Sequence, residues 1–406
     1  MSRTLPLGLS EDALDAAAAE PDPGSLAAGT RLRERFGPEV AVAALNQAAL
    51  RRRAATKFGA DAEGLFLTRD GLEQATRPAV AELHARRFVE AGVRRVVDLG
   101  CGIGSDALAF VKAGLDVLAV ERDPVTADLA RANLAGAVGS SRDRRADVVV
   151  ADVADVLAGR TDVVLEAGDG VFADPARRDA RGRVWRAQDF SPDLGLLLAL
   201  ARPDRALGIK LGPALPHALV PPGAEAEWVS HTGDVVEVGL WSGPGSVAGR
   251  RSALLWPDRR LVADPQAPPA VVREPGAYVH EPDGAVIRAG SVAVLAARLG
   301  AGLLADQVAY LTTDEAVTTP YATTFAVERV LPYDLKVLRR WVREADVGVL
   351  EVKRRGIDVD PARLRRDLRP RGRASATLLL SRTASSAVAL VVRRVSGTTS
   401  RQPGST

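Results

Sequence analysis

Three carboxylates and a run of glycines are the residues of this 406-residue chain whose types and spacing could do chemistry. Asp98-Leu99-Gly100-Cys101-Gly102-Ile103-Gly104 follows the apolar pair Val96-Val97, and Ala107 to Val111 carry the apolar face of a helix behind it. The expected form is a buried strand, a glycine turn and a helix. Glycines at such a point let the backbone turn tightly and bring its N–H groups against a ligand. A nucleotide dehydrogenase would place G-x-G-x-x-G here; this loop has G-x-G-x-G, with Ser105 where the last glycine would fall. A second apolar run, Asp116 to Val120, ends in Glu121. An acidic side chain about 20 residues past the glycines is placed to bind a ribose diol through both hydroxyls. A third run, Asp147 to Ala151, ends in Asp152. Asp98, Glu121 and Asp152 thus fall at three consecutive strand ends, on one edge of a parallel sheet.

The elements that must position them follow from caps and periodicity. Asp123-Pro124 opens a helix as N-cap and first-turn proline, with Ala127, Leu129, Ala130 and Leu134 in its body. Strands and helices alternate through the core, which means parallel pairing and right-handed crossovers. A fourth strand runs into Val171 to Pro175, a helix covers Leu194 to Ala201, and a fifth strand spans Ala206 to Leu211. Glu227 to Ser230 and Val235 to Trp241 flank a His231-Thr232-Gly233-Asp234 turn and read as a hairpin. Before the core, Ala41 to Phe58 and Leu72 to Ala91 read as helices. After a proline-rich joint, a module begins near Tyr278. It carries helices over Ser291 to Leu299 and Asp334 to Ala345, strands around Tyr310 and over Thr323 to Val330, and the Gly348 to Arg354 run. An Asp360-capped helix and strands over Ala376 to Ser381 and Ala387 to Val392 close it. The expected domains are helical (1–92), α/β (93–265) and small α+β (276–396), with a disordered polar tail (397–406).

The glycine loop resembles the first motif of class I S-adenosylmethionine-dependent methyltransferases. In that pattern the first-strand acid helps to hold the methionine moiety, and the third-strand acid accepts a hydrogen bond from the adenine amine. The resemblance implies S-adenosyl-L-methionine as cofactor, held by Asp98, Gly100, Cys101, Gly102, Gly104, Glu121, Arg122, Asp152 and Val153. The fold class it implies is α/β: a Rossmann-like core built on a mostly parallel seven-stranded sheet with an antiparallel edge hairpin, a helical N-terminal extension and a small α+β C-terminal domain. Enzymes of this class that methylate an exocyclic amine place an Asp/Asn/Ser-Pro motif at the end of the fourth strand, facing the sulfonium methyl. Here that motif is Asp174-Pro175-Ala176-Arg177-Arg178-Asp179. A conjugated amine is a poor nucleophile because its lone pair is delocalised into the ring. Oxygens that accept its N–H bonds draw the nitrogen toward sp³ geometry and stabilise the positive charge that develops. Asp174 is the candidate acceptor, with the Ala173 or Pro175 carbonyl as the second. Arg177 and Arg178 suit a phosphate or carboxylate clamp.

The glycine loop, Leu72-Glu73-Gln74-Ala75-Thr76 and the Asp-Pro-Ala-Arg-Arg motif are together similar to a group of bacterial class I methyltransferases with a C-terminal THUMP-like domain. That group is distantly related to the cap trimethylguanosine synthases. Val352 to Gly356 and Asp358 to Arg373 look like the THUMP-like module. THUMP domains proper are RNA-binding modules of tRNA-modifying enzymes, so the resemblance implies an RNA substrate, tRNA or rRNA, with a guanine amine as target. In the cap synthases a Phe-x-x-Thr segment closes over the cofactor, which implies the same for Phe66, Thr68, Glu73 and Thr76. This chain departs from amine methyltransferases after Pro175: Ala176 and Arg177 stand where a second proline and a stacking aromatic are usual, leaving Trp185 as the candidate face. Two other readings stand beside this one, a small-molecule methyltransferase and an RNA-binding protein with an inactive cofactor pocket.

Composition bounds the rest. A hydrophobic fraction of 47% with 26% charged residues fits a soluble globular protein. No apolar run reaches the length of a membrane span, and the N-terminus is acidic and alanine-rich, unlike a signal peptide. Cys101 is the single cysteine, and His84, His217, His231 and His280 are scattered. Neither a disulfide nor a metal centre is expected, and the cytoplasm is the natural compartment. Arginine carries nearly all positive charge; the lysines are Lys57, Lys112, Lys210, Lys336 and Lys353. From Leu331 to Val395 sixteen basic residues face seven acidic ones, although the whole chain carries only +3. Such asymmetry is what a nucleic-acid-facing module looks like.

Overall fold

The structure, a computed structural model, describes residues 5–138, 145–177 and 189–395. The expected tail at 397–406 lies outside them. The leading residues fold as helices because caps alternate with apolar stripes. Ser10 caps α1 (Glu11–Ala18), Ser25 caps α2 (Leu26–Phe36), and Pro38 opens α3 (Pro38–Phe58). They bury Ala13, Leu14, Ala28, Leu32, Ala41 and Ala44 against one another. The single helix expected over Leu72 to Ala91 is two, α4 (Arg69–Gln74) and α5 (Pro78–Glu90). Pro78 is the cause: the preceding Arg77 is held extended (φ −65°, ψ 139°), and a fresh helix starts at the proline.

The core then alternates: β1 (Arg95–Leu99), α6 (Ser105–Lys112), β2 (Asp116–Glu121), α7 (Pro124–Val138), β3 (Ala146–Val150), α8 (Val153–Leu157) and β4 (Gly170–Ala173). A short ribbon, β5 (Ala176–Arg177) and β6 (Phe190–Ser191), precedes α9 (Leu194–Leu198) and β7 (Leu207–Leu211). Then come β8 (Glu225–His231), β9 (Asp234–Ser242), β10 (Arg251–Leu255) and β11 (Arg259–Val262). The sheet runs β11-β10-β8-β9-β7-β4-β1-β2-β3. From β7 to β3 neighbouring strands are parallel, and β9 pairs antiparallel to β7. The expected seven strands are therefore nine, and the β8–β9 hairpin is not the edge. The β10–β11 hairpin extends the sheet, with Ser252, Ala253, Leu254 and Leu261 buried on either side of the Trp256-Pro257 turn. Thr232 and Gly233 both take positive φ (53° and 89°), the primed-turn geometry that suits twisted strands.

Contacts divide the chain into two compact units, Met1–Ala226 with Val238–Gly249, and Glu227–Glu237 with Arg250–Thr406. In the first, Phe88, Phe110, Phe172 and Trp241 form an edge-to-face cluster, with Phe88–Phe110 and Phe110–Phe172 centroids both 5.4 Å apart. This anchors α5 and α6 on the sheet.

The second unit contains β12 (Tyr278–Pro282), α10 (Gly284–Ala289), α11 (Val292–Leu299), β13 (Gly302–Ala305), β14 (Val308–Thr313), β15 (Ala322–Pro332), α12 (Leu335–Glu344), β16 (Val347–Arg354), α13 (Pro361–Leu368), β17 (Ala374–Arg382) and β18 (Ala387–Arg394). Its sheet runs β13-β14-β12-β15-β18-β17-β16, with β16 and β17 parallel and α13 as their crossover. Leu338, Trp341 and Val342 of α12 pack with Leu364 and Leu368 of α13 on Leu378 and Leu380. Among the described residues no helix is long and apolar enough to cross a membrane.

His280 is fully buried here, its Nδ1 3.0 Å from Thr324 Oγ1 and its Nε2 2.9 Å from Thr313 Oγ1. Burial pulls its pKa down to about 4, since the hydroxyls carry no charge to offset an imidazolium. The unfolded chain takes up this proton first, so the contribution is complete above about pH 6.5 and drains away as pH falls toward 4. Unfolding titrations should show this unit losing about 2 kcal/mol through His280 between pH 7 and 5. His280→Gln should flatten that part of the slope; an unchanged slope would remove His280 as its source.

Candidate active site

β1 carries Asp98 to the carboxyl end of a strand that is paired on both sides, opposite Ala119 and Phe172. Asp98 is 2% exposed, and its Oδ2 has no hydrogen-bond partner among the described residues. Burial pushes its pKa well above the carboxylate range, and the nearby carboxylates of Asp106, Asp174 and Glu121 push it further. Such a group calls for a cation.

The loop that follows needs glycine for its backbone. Gly100, Gly102 and Gly104 have φ of 87°, 55° and 85°, a region that side chains disfavour. The Gly100 and Cys101 N–H groups both donate to the Val120 carbonyl, at 2.9 and 3.0 Å. The Gly102 N–H donates to Glu121 Oε2 at 3.0 Å, while Glu121 Oε1 accepts the Asp123 N–H at 2.9 Å. Glu121 therefore laces the glycine loop to the β2–α7 turn. Each of its oxygens keeps lone-pair capacity for a further donor. A Cβ on Gly100 or Gly102 would meet nothing within 4 Å, so the loop borders open space. Burial, with Asp98 and Glu121 beside it, raises the Cys101 thiol well above its usual pKa, which disfavours the nucleophilic thiolate. Asp152 caps α8 by accepting the Ala154 N–H at 2.8 Å; Val153 beside it is buried, and Arg122 is exposed.

Two amides that sequence reasoning missed hold the leading helices to this loop. Asn133 of α7 accepts the Phe66 N–H at 2.7 Å and donates to the Phe66 carbonyl (3.0 Å) and the Ile103 carbonyl (2.9 Å). Gln47 of α3 pairs with both backbone groups of Leu67, at 2.8 and 2.9 Å. α4 is seated just as closely, because a Cβ on Gly71 would lie 2.5 Å from Ile103 Cγ2. Asn133→Leu would leave three buried backbone groups unpaired. Its expected cost is about 3 kcal/mol or more, read as a lower denaturant midpoint at constant slope.

The four residues of the closing segment separate. Phe66 is buried under the Arg51 guanidinium, 5.2 Å from its ring centre, and Thr68 caps α4 through the Gly71 N–H at 2.9 Å. Glu73 is exposed and pairs with Arg53 and Arg69. Thr76 is buried and donates to Asp106 Oδ2 at 2.6 Å, whose Oδ1 lies 2.7 Å from His84 Nδ1. Burial alone would raise the Asp106 pKa, but the His84 and Thr76 hydrogen bonds and nearby positive charge outweigh it and hold it below the usual value. Neither Asp106 nor His84 was a sequence candidate.

Asp174 follows β4 directly. β7 is the neighbouring strand, with Ala173 opposite Ile209, and Lys210 Nζ forms an ion pair with Asp174 Oδ2. Pro175 is buried, and Ala176 and Arg177 pair with Ser191 and Phe190 across the β5–β6 ribbon. The Arg177 side chain, Arg178, Asp179 and Trp185 lie outside the described residues. Lys210 was missed as well. Its one sequence signal was that it is a lysine in a chain that otherwise uses arginine.

A parallel sheet with a glycine loop after its first strand, acids at successive strand ends and an antiparallel strand beyond the last parallel one is the architecture of Rossmann-like methyltransferases. Two proteins from strains of Mycobacterium tuberculosis, each named an uncharacterized S-adenosylmethionine-dependent methyltransferase, are 34% identical over 362 residues, which is 86% of this chain and 95% of each relative. A crystal structure of a methyltransferase candidate from Porphyromonas gingivalis shares the fold, with a TM-score of 0.76 at 21% identity over 95% of this chain and 99% of that one. Residues 322–394 match a family described as THUMP domain-like, and residues 11–54 match a domain of unknown function. The chain belongs to the S-adenosylmethionine-dependent methyltransferases.

Proposed function

We propose that this enzyme methylates a base in RNA, tRNA or rRNA, with the exocyclic amine of guanine as the acceptor. The observation that carries the reading is the Asp174–Lys210 pair at the ends of β4 and β7, with Asp174 acting electrostatically on Asp98. An acceptor carboxylate and a cation-seeking carboxylate share one sheet edge.

The residues present fit the cofactor. S-adenosylmethionine supplies an electrophilic methyl group on a sulfonium and brings a cationic ammonium. Asp98, buried with an orphaned oxygen, is suited to that ammonium. Gly100, Cys101, Gly102 and Gly104 line its approach, Glu121 takes the ribose hydroxyls, and Asp152, with Arg122 and Val153 beside it, takes the adenine amine. Thr68 and Thr76 act on the segment over the loop, Thr76 by way of Asp106. Asp174 accepts an N–H of the target amine and stabilises the charge that grows on nitrogen. Pro175 stiffens the turn, and Arg177 and Arg178 grip a phosphate of the substrate. The basic stretch from Leu331 to Val395, most of it within the THUMP-like match, supplies the backbone grip. The cytoplasm is the compartment this reading requires.

The direct test incubates the purified enzyme with labelled cofactor and total cellular RNA, then digests and identifies the labelled nucleoside. Label in N-methylguanosine supports the reading; RNA that stays unlabelled, or is labelled at other nucleosides alone, overturns it. RNA affinity should fall about tenfold or more between 50 and 200 mM salt. A flat response would point to a neutral small acceptor.

A further inference from the structure

Asp106 stands in the first turn of α6, where a carboxylate ordinarily caps its own helix. The cap position is Gly104, which offers no side-chain hydrogen bond, and Asp106 does not replace it. Both of its oxygens turn to other elements. Oδ2 accepts the Thr76 hydroxyl at 2.6 Å, from the stretch between α4 and α5, and Oδ1 lies 2.7 Å from Nδ1 of His84 in the middle of α5. Asp106, His84 and Thr76 are 7%, 2% and 5% exposed. Apolar residues of similar volume would join the same elements as well or better, so stability does not account for a buried carboxylate here. What distinguishes the place is the glycine loop, which ends two residues before Asp106. That loop cannot brace itself, because Gly100, Gly102 and Gly104 take positive φ and carry no side chain. Ile103, its one large apolar residue, is buried with Leu65, Leu67 and Leu72 of the leading segment. On the other flank the His84 ring packs on Phe172, centroids 4.9 Å apart, and Phe172 is the register partner of Asp98. Register partners share a sheet face.

We propose that Asp106, held by Thr76 and His84, is a positioning residue that sets the glycine loop for the cofactor. None of the three touches the cofactor; they act through Gly104 and Ile103. A loop with three glycines has a wide choice of backbone conformations, and time spent in those that do not fit the cofactor lowers the apparent affinity in proportion. The fit has to be imposed by neighbours whose own side chains are locked. A carboxylate does this better than a neutral group, because hydrogen bonds to a charge are shorter and roughly twice as strong. With Thr76 on one oxygen and His84 on the other, the first turn of α6 is fixed from two sides, and the end of the loop with it. Ile103 fixes the loop's middle in the same way through packing. The inference needs only the cofactor and is independent of which molecule accepts the methyl group.

The test measures calorimetric affinity for S-adenosylhomocysteine on folded protein, well below each variant's Tm. Thr76→Val should weaken binding about tenfold, as expected when the fitting fraction of the loop falls to about a tenth. Thr76→Ser keeps the hydroxyl and should bring affinity back to within about twofold of wild type. His84→Asn and His84→Leu separate positioning from packing. Both give up the ring contact with Phe172 and should lower the Tm, but only asparagine keeps a donor near the place of Nδ1. Leucine should therefore lose affinity and asparagine keep most of it. Leu32→Ala, a cavity in the buried face of α2, should lower the Tm and leave affinity unchanged. Affinity that falls in step with Tm across all five variants, or stays at wild type in Thr76→Val and His84→Leu, would make the trio purely structural and end the proposal. Hydrogen exchange in the unmodified enzyme decides the matter where a variant does not fold. Saturating S-adenosylhomocysteine should slow exchange around His84 in α5 more than in α2, because the loop and α5 open as one unit. Equal slowing in the two helices would overturn the coupling.

Discussion

Asp98→Asn is expected to make the cofactor-free enzyme more stable and nearly unable to bind its cofactor. The two effects share one cause. The wild-type carboxylate is buried with an orphaned oxygen, and burial and its acidic neighbours raise its pKa well above normal. An acid whose folded pKa is raised ionises more readily in the unfolded chain. Its contribution is therefore harmless below about pH 4 and costs stability as pH climbs from there through the folded value. Asparagine removes that cost, so the apo Tm at neutral pH should rise by about 2 to 4 °C. It also removes the charge proposed to meet the cofactor ammonium, and loss of a buried charge-assisted contact costs about 2 kcal/mol or more, about thirtyfold in affinity. Scanning and titration calorimetry with S-adenosylhomocysteine measure both. A lower Tm, or an unchanged affinity, would mean that Asp98 is a structural group with a partner inside the fold. A gain in stability coupled to loss of binding is the signature of a residue kept for its ligand.

What the sequence disclosed was local. β1, the glycine loop and α6 were legible because apolar runs and glycines are contiguous there, and Asp123, Asp360 and Pro361 marked helix starts for the same reason. The break between α4 and α5 was also written locally, in Pro78, but apolar spacing on both sides hid it. The rest depends on which strands become neighbours. Lys210 meets Asp174 from 36 residues away, through the pairing of β4 with β7, and no spacing rule supplies that pairing. Asn133 meets Phe66 across 67 residues, and His84 meets Asp106 across 22. A buried amide has no sequence signature of its own, since its partners are backbone groups that every residue carries. The β10–β11 hairpin escaped because its strands are five and four residues long, with charged residues at the turn. The row of acids along this sheet edge was thus readable in the sequence, while Lys210, the cation that pairs with Asp174, was visible only after folding.

The Asp174–Lys210 pair makes the outcome at Asp174 separable into two parts. Asp174→Ala should lower turnover by about a hundred- to a thousandfold, the usual cost of losing one donor or acceptor that acts on developing charge. Cofactor affinity should fall far less than turnover, because the glycine loop is held by Glu121 and the Val120 carbonyl. Asp174→Asn keeps an acceptor oxygen in place but gives up the charge and with it the ion pair to Lys210, so it should fall between alanine and wild type. Lys210→Met tests the other half of the pair. It leaves the acceptor oxygen, so its loss in kcat should be smaller than that of Asp174→Ala, while KM for the methyl acceptor rises as a cation beside Asp174 disappears. The kinetic split therefore distinguishes a carboxylate that acts in the transition state from a cation that acts mainly in binding. Equal losses in kcat for Asp174→Ala and Lys210→Met, with KM unmoved in both, would instead mean that the two side chains serve only to close the ends of β4 and β7. The acceptor would then have to be sought among the backbone carbonyls around Pro175.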